Sequence, residues 1–73
     1  MNPTINNAIE TLEAYCTILA NQGQWSAVMA TQPELSAYRE VRDGVSRNEE
    51  KWHGEALTLY RETRALAENI MGG

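Results

Sequence analysis

Two stretches of the chain carry apolar residues at the three- and four-residue spacing of an amphipathic helix. In the first stretch, the residues with this spacing are Ile5, Ala8, Leu12, Tyr15 and Leu19. In the last stretch, they are Trp52, Ala56, Leu59, Thr63, Leu66 and Ile70. Residues at this spacing line one side of an α-helix, so the pattern predicts two long amphipathic helices that pack against other apolar surfaces.

Capping signals predict that the first helix covers about residues 3–21. Asn2 can cap the free amide groups at the start of a helix, and the fixed backbone of Pro3 suits the first helical position. Gly23 can adopt the left-handed conformation that ends a helix. A helix of this length extends roughly 28 Å.

The middle of the chain predicts a short helix over residues 25–30 and a separate helix over residues 33–43. Pro33 has no amide proton and restricts the residue before it, so we expect a break near Thr31. Thr31 and Glu34 also have the spacing of a capping box, which indicates that a new helix starts there. This helix is expected to turn Leu35, Tyr38 and Val41 inward and Arg39, Glu40 and Asp43 outward.

The final helix is predicted over residues 47–70, after a stop at Asp43-Gly44. Ser46 and Glu49 repeat the capping-box spacing and indicate the new start. A helix that continues through Gly44 is the alternative, because a glycine inside a helix costs only about 1 kcal/mol.

These elements predict an all-α fold, a small antiparallel bundle of three to four helices in a single domain over residues 1–73. On the final helix, Leu57, Tyr60 and Met71 widen the apolar side to roughly half of the circumference. One neighbouring helix cannot cover so wide a surface. The final helix should therefore contact two helices of its own chain, or one of its own and one from a partner.

The chain has 73 residues, and a domain of this size buries only about 60% of the surface that its unfolded chain exposes. Domains this small commonly gain stability from a disulfide, a metal, a second copy or a partner. Cys16 is the only cysteine, so an intrachain disulfide is excluded. We therefore expect a homodimer or a complex with another protein.

A formal net charge of −4 argues against binding to nucleic acid, which requires basic residues along the phosphates. The six basic residues are interleaved with ten acidic ones, so adsorption to an anionic membrane is disfavoured too. No apolar run reaches the roughly 18 residues of a membrane span, and the N-terminus lacks the features of a secretory signal. We therefore expect a cytoplasmic protein.

Glu50 and His53 are candidate metal ligands, because they are three residues apart on the predicted final helix. This spacing is half of the motif with which ferritin-like proteins bind iron or manganese between helices. Only Glu10 and Glu13 on the first helix are further candidates, so a complete site would require a dimer. A solvated helix face with a histidine at its edge explains the same residues, and no cofactor is assigned.

Nucleophilic catalysis has little support in the sequence. Cys16 lies within the apolar side of the first helix, where burial disfavours the reactive thiolate. No serine lies in a nucleophile-elbow pattern, and the glycines form neither a phosphate loop nor a dinucleotide fingerprint. We therefore expect a protein that is not an enzyme.

The leading hypothesis is a non-enzymatic helical adaptor or chaperone that binds a partner helix in an apolar groove. The expected contact residues are Trp25, Leu57, Tyr60 and Met71. Trp52 is expected in the core, whereas Trp25 lies either in the core, which is favoured, or at an interface. Two alternatives stay open, namely a dimeric metal-binding bundle and a small acidic inhibitor of the kind that phages encode.

The stretch from Ala8 to Val41 resembles the flagellar export chaperones of the FliT type. In that family an amphipathic first helix ends in a short turn that contains tryptophan, as in Gly23-Gln24-Trp25, and a second helix follows. The second helix is matched here by Val28, Leu35 and Arg39-Glu40, and a later helix is matched in pattern by residues 55–62. The resemblance implies a small antiparallel bundle that binds a secretion substrate through an apolar face.

Overall fold

The computed structural model describes residues 3–72, and within this range the chain forms three α-helices and no strand. The helices are α1 (Pro3–Asn21), α2 (Trp25–Asp43) and α3 (Glu55–Gly72). The predicted all-α fold is confirmed. The predicted cap at Asn2 lies outside the described residues. Of the three helices, not one combines the length and apolar character needed to cross a membrane.

Two glycines end the first two helices, as the sequence predicts. Gly23 and Gly44 both have a φ of 73°, in the left-handed region that glycine adopts at little cost. After each glycine the next amide donates back into the helix, from Gln24 to the Leu19 carbonyl at 2.9 Å and from Val45 to the Glu40 carbonyl at 2.8 Å. This pattern closes a helix end, so the alternative of one helix through Gly44 is wrong.

The predicted break at Pro33 is wrong, because α2 continues through it from Trp25 to Asp43. A proline inside a helix removes one backbone hydrogen bond and costs about 3 kcal/mol. Pro33 is among the largest fully buried side chains, and the apolar surface it buries offsets that cost. The Thr31 hydroxyl donates to the Val28 carbonyl at 2.7 Å, so it does not begin a new helix.

The predicted start of the last helix at residue 47 is also wrong, because α3 begins at Glu55. Residues 45–53 form an irregular connection, which we call the strap. Gly54 ends the strap with a φ of 59°, a conformation that interrupts any helix running into α3. Glu49 does not close a capping box and instead contacts Arg61 on α3.

Helix α2 lies between the other two helices, and α1 and α3 contact each other much less than either contacts α2. On one side of α2, Leu35 and Tyr38 pack with Ile5 and Ile9 of α1, and Ala67 of α3 completes this buried apolar cluster. The opposite side of α2 carries Glu40, which contacts α3. The core is therefore divided between two sides of one central helix.

Helices α2 and α3 run in the same direction, because early residues of α3 lie near early residues of α2 and later residues lie near later ones. Ser26 and Met29 near the start of α2 line a common groove with Ala56 near the start of α3. Farther along, Glu40 of α2 contacts Arg64 of α3. Antiparallel order, expected throughout the bundle, therefore does not describe this pair. The long connection permits this direction, because the residues between Asp43 and Glu55 can reach at most roughly 36 Å, more than a helix of roughly 28 Å.

Candidate functional site

An open groove of about 470 Å³ separates the first half of α2 from the start of α3, and the end of the strap forms its third wall. Its lining is largely apolar, with contributions from Met29, Ala30, Trp52, Ala56 and Leu59. Lys51, His53 and Glu55 supply polar groups on the side of the strap. Among the described residues, this groove has the size and composition of a binding site.

Trp25 and Met29 are the most exposed large apolar side chains beside the groove, at 63% and 69% of their surface. Their spacing of four residues places them next to each other on α2. The favoured prediction that Trp25 lies in the core is therefore wrong, and its interface alternative agrees with the exposure. Large apolar side chains that face solvent side by side are typical of interaction surfaces.

Trp52 belongs to the strap and is half-buried, so it is not the fully buried core anchor that the sequence predicted. Its ring stacks on Tyr60 with 6.1 Å between the ring centroids, and the Lys51 ammonium lies 5.5 Å from the Trp52 centroid. The Trp52 indole Nε1 is buried and has no hydrogen-bond partner among the described residues. An unpaired buried donor carries a free-energy cost, so the strap is not held in an ideal arrangement.

A buried polar cluster joins α2 to α3 beyond the inner end of the groove. The Tyr60 hydroxyl donates to the Glu40 carboxylate at 2.5 Å, and the Arg64 guanidinium donates to the same oxygen at 3.2 Å. The Glu40 and Arg64 side chains are only 11% and 10% exposed. Burial, and next the hydrogen bond to Glu40, raise the pKa of Tyr60 above its ordinary value of 10.0.

Three neighbouring side chains of α3 hold the strap. The backbone amide of Asn48 donates to the Tyr60 hydroxyl at 2.9 Å, and Arg64 donates to the Val45 carbonyl at 3.0 Å. Arg61 donates to both carboxylate oxygens of Glu49, at 3.0 and 3.2 Å. This hydrogen bond is the main reason that the pKa of Glu49 lies below its ordinary value.

The structure separates the four residues expected to contact a partner. Trp25 and Met71 are exposed, at 63% and 41%, and Leu57 is half-buried. Tyr60 is completely buried in this arrangement, where its ring packs under Trp52 and its hydroxyl faces Glu40, so its role as a partner contact stays a prediction. Met71 lies at the end of α3, far from the groove at its start.

The residues considered for a metal do not share a helix or a site. Glu50 and His53 lie on the strap, so the helical spacing behind the metal hypothesis does not occur. Glu13 of α1 pairs with Arg39 of α2, and Glu10 is exposed on the same helix as Glu13. Within residues 3–72, no three or more His, Cys, Asp or Glu side chains are grouped so that they could hold a metal ion.

Cys16 is half-buried and contacts polar atoms, which differs from the apolar burial that the sequence predicted. Its sulfur lies 2.6 Å from the Thr31 hydroxyl oxygen. Because that hydroxyl donates to the Val28 carbonyl, the thiol is the donor in this contact. Cys16 therefore helps to join α1 to α2.

Sequence reasoning missed the Glu40–Arg64 pair, and the expectation that Glu40 points outward is wrong. One signal was available, since Pro33, Ala37 and Glu40 are spaced so that they share one side of α2. Pro33 and Ala37 are buried, and Glu40 lies with them.

Comparison with known proteins adds no relative, since the chain matches no family model, no curated protein and no solved structure. The resemblance to the FliT type therefore stays a prediction.

Proposed function

We propose that this protein is a non-enzymatic interaction module, and that it binds an amphipathic helix of a partner protein in the groove between α2 and α3. The observation that carries this proposal is the exposed apolar side chain of Met29 in the lining of the groove, with exposed Trp25 one helical turn before it on α2. Burying them against a partner would remove a large apolar surface from water, which is the main driving force of association.

The side chains that line the groove suit a bound helix. Ala30 and Ala56 provide small side chains in its lining, which allow a partner backbone to approach closely, while Met29 and Leu59 provide larger ones. A partner helix would insert apolar side chains spaced at i, i+3, i+4 and i+7. Methionine is flexible and adapts to different partner side chains, so Met29 suits a surface that accepts more than one sequence.

The polar side of the groove would orient the partner as it first approaches. Lys51 and His53 are exposed on the strap, and Glu55 lies beside them in the first turn of α3. Interfaces usually surround an apolar centre with such a polar rim, which contributes more to orientation than to affinity. The arrangement contains no pair of groups that would activate a nucleophile, so binding is the activity we propose.

The more specific proposal is an adaptor or export-chaperone-like role in the cytoplasm, as the resemblance to the FliT type implies. Such a role requires a surface that receives an apolar segment of another protein, and the groove is suited to it. The metal-binding alternative is not carried forward, because Glu50 and His53 lack the helical spacing on which it rested.

Site-directed photocross-linking in cells that naturally express the protein tests this function. The substitution Ser26→p-benzoylphenylalanine places the photoreactive group in the groove, and the same substitution at Glu62 places it on the exposed surface of α3. We expect adducts from position 26 that map to an amphipathic helix of another protein, and few adducts from position 62. Adducts between two copies of this chain would instead identify a homodimer, which light scattering would verify.

A matched pair of charge substitutions tests whether the groove itself is responsible. Met29→Glu changes an exposed apolar side chain within the groove, and Leu66→Glu changes one on α3 that does not line it. We expect Met29→Glu to reduce the adducts from position 26 at least tenfold and Leu66→Glu to leave them unchanged. Equal effects of the two substitutions would contradict the proposed function.

A further inference from the structure

We propose that the strap is a displaceable cover over α3, and that the partner helix binds by taking its place. This inference rests on the proposed function and adds to it a mode of regulation, an autoinhibitory contact made by the chain itself. The strap lies against Tyr60, Arg61 and Arg64 and also forms one wall of the groove, so its position determines how far the groove extends.

The strap covers apolar surface of α3 that α2 leaves unpaired. The apolar side of α3 is wide, and α2 covers only part of it. Trp52 stacks on Tyr60, which is 0% exposed in this arrangement. One aromatic anchor accompanied by polar contacts is the kind of contact that a partner segment makes, and here the chain supplies it to itself.

The attachment of the strap is of a kind that opens easily. From Val45 to Lys51, every residue except Glu49 is exposed. Three polar contacts and the single aromatic stack of Trp52 hold the segment on α3. Segments with few buried apolar contacts open locally without unfolding of the whole protein.

Two features favour the open state once a partner is present. The indole Nε1 of Trp52 has no partner in the closed arrangement, and opening releases it to water or to a partner acceptor. The Glu40 carboxylate keeps its contacts with Tyr60 and Arg64, which belong to the helices, so α2 and α3 stay joined when the strap leaves. Opening therefore removes the wall that the strap forms and leaves the walls formed by α2 and α3 in place.

Amide hydrogen exchange measured by NMR tests the opening in the free protein. The Asn48 amide donates to the Tyr60 hydroxyl at 2.9 Å, between the strap and α3, and so reports when the strap leaves α3. Glu49→Gln weakens the ion pair with Arg61 that holds the strap and leaves the contacts of Glu40 unchanged. We expect Asn48 exchange to accelerate about threefold, the effect of losing one exposed ion pair. Glu10→Gln, the same change on an exposed residue of α1, should have no effect.

Cross-linking from position 26 then tests whether the strap covers the partner site. Glu49→Gln should increase the adduct yield about threefold over the otherwise unchanged protein, and Glu10→Gln should not. An Asn48 amide that exchanges only as slowly as the Leu35 amide, in the core, would overturn the displaceable cover. Faster exchange with an unchanged yield would overturn the autoinhibitory role alone. If no variant gave adducts, the proposed function would fail, and the autoinhibitory role with it.

Discussion

The two sides of α2 are held by opposite kinds of contact. Toward α1, Leu35 and Tyr38 pack with Ile5 and Ile9 in an apolar cluster. Toward α3, Glu40 meets Tyr60 and Arg64 in a buried arrangement of hydrogen bonds and opposite charges. One helix thus combines an apolar contact and a polar contact on two sides of the same backbone.

The comparison teaches that the two contacts have different tolerances. Apolar packing has no direction, and side chains of similar volume replace one another at small cost. Buried charges depend on geometry, because losing one partner leaves the other unpaired in a poorly hydrated place. The apolar cluster should therefore tolerate substitutions that keep its volume, while the contacts of Glu40 fix how α2, α3 and the strap are arranged.

Removing Arg64 should have the largest effect on the stability of the protein. We expect Arg64→Met to destabilise the protein by about 4 kcal/mol, because Glu40 then keeps a buried charge without its cation. Adding Glu40→Leu should restore most of the loss, and both proteins are compared by urea unfolding. Arg42→Met, which removes an exposed pair with Asp43, is the control and should be neutral. A double variant as unstable as the single one would mean that shape, and not charge, matters at this position.

Truncating a side chain in the apolar cluster tests the α1 side of the comparison. Ile9 is 3% exposed and Ile18 is 53% exposed, and both lie on α1. Ile9→Ala should cost about 3 kcal/mol through lost burial and the cavity that remains, whereas Ile18→Ala should cost less than about 0.5 kcal/mol. Thermal unfolding followed by circular dichroism distinguishes these values, and similar losses would show that burial in the cluster does not determine the cost of truncation.

A smaller effect is expected at the end of the strap. Gly54 has a φ of 59°, and a Cβ atom there meets no neighbour, so the cost of alanine is conformational. Gly54→Ala should destabilise the protein by about 1 kcal/mol, while Gly72→Ala, at a glycine without a left-handed backbone, should not. A gain in helix content by circular dichroism would contradict this prediction and show that the strap can join α3.

The smallest effect concerns alkaline pH. The raised pKa of Tyr60 means that the folded protein favours the neutral hydroxyl. The stability this supplies is complete below pH 10.0, the ordinary pKa, and is lost as the pH rises through the higher folded value. Tyr60→Phe should lose less stability than the unchanged protein between pH 9 and 11, roughly the range in which tyrosine titrates. Urea midpoints across this range measure the difference, and equal losses would contradict it.

Regular features of the fold could be predicted from the sequence because they depend on local patterns. The spacing of Ile5, Leu12 and Leu19 predicts α1, and Gly23 and Gly44 predict where two helices end. These signals act within a few residues. They do not depend on which helix lies opposite, and the structure agrees with them.

The remaining features depend on contacts between distant parts of the chain. Pro33 lies within α2 because tertiary burial outweighs its local preference for a break. The strap replaces a predicted helical start because Tyr60, Arg61 and Arg64 bind it in an irregular, non-helical form. Sequence reasoning identified the exposed Trp25 as one alternative, but placed Tyr60 on a surface that the strap in fact covers.

The shared direction of α2 and α3 has an electrostatic consequence for the groove. Their N-terminal ends lie together at the groove, and each carries a partial positive charge of about +0.5 from the helix macrodipole. The end of α1 is adjacent to them, and its partial charge of about −0.5 offsets one of the two. The formal charges of Lys51 and Glu55 in the groove lining cancel, so the remaining helix N-terminus favours a bound helix whose C-terminal carbonyls point toward that end.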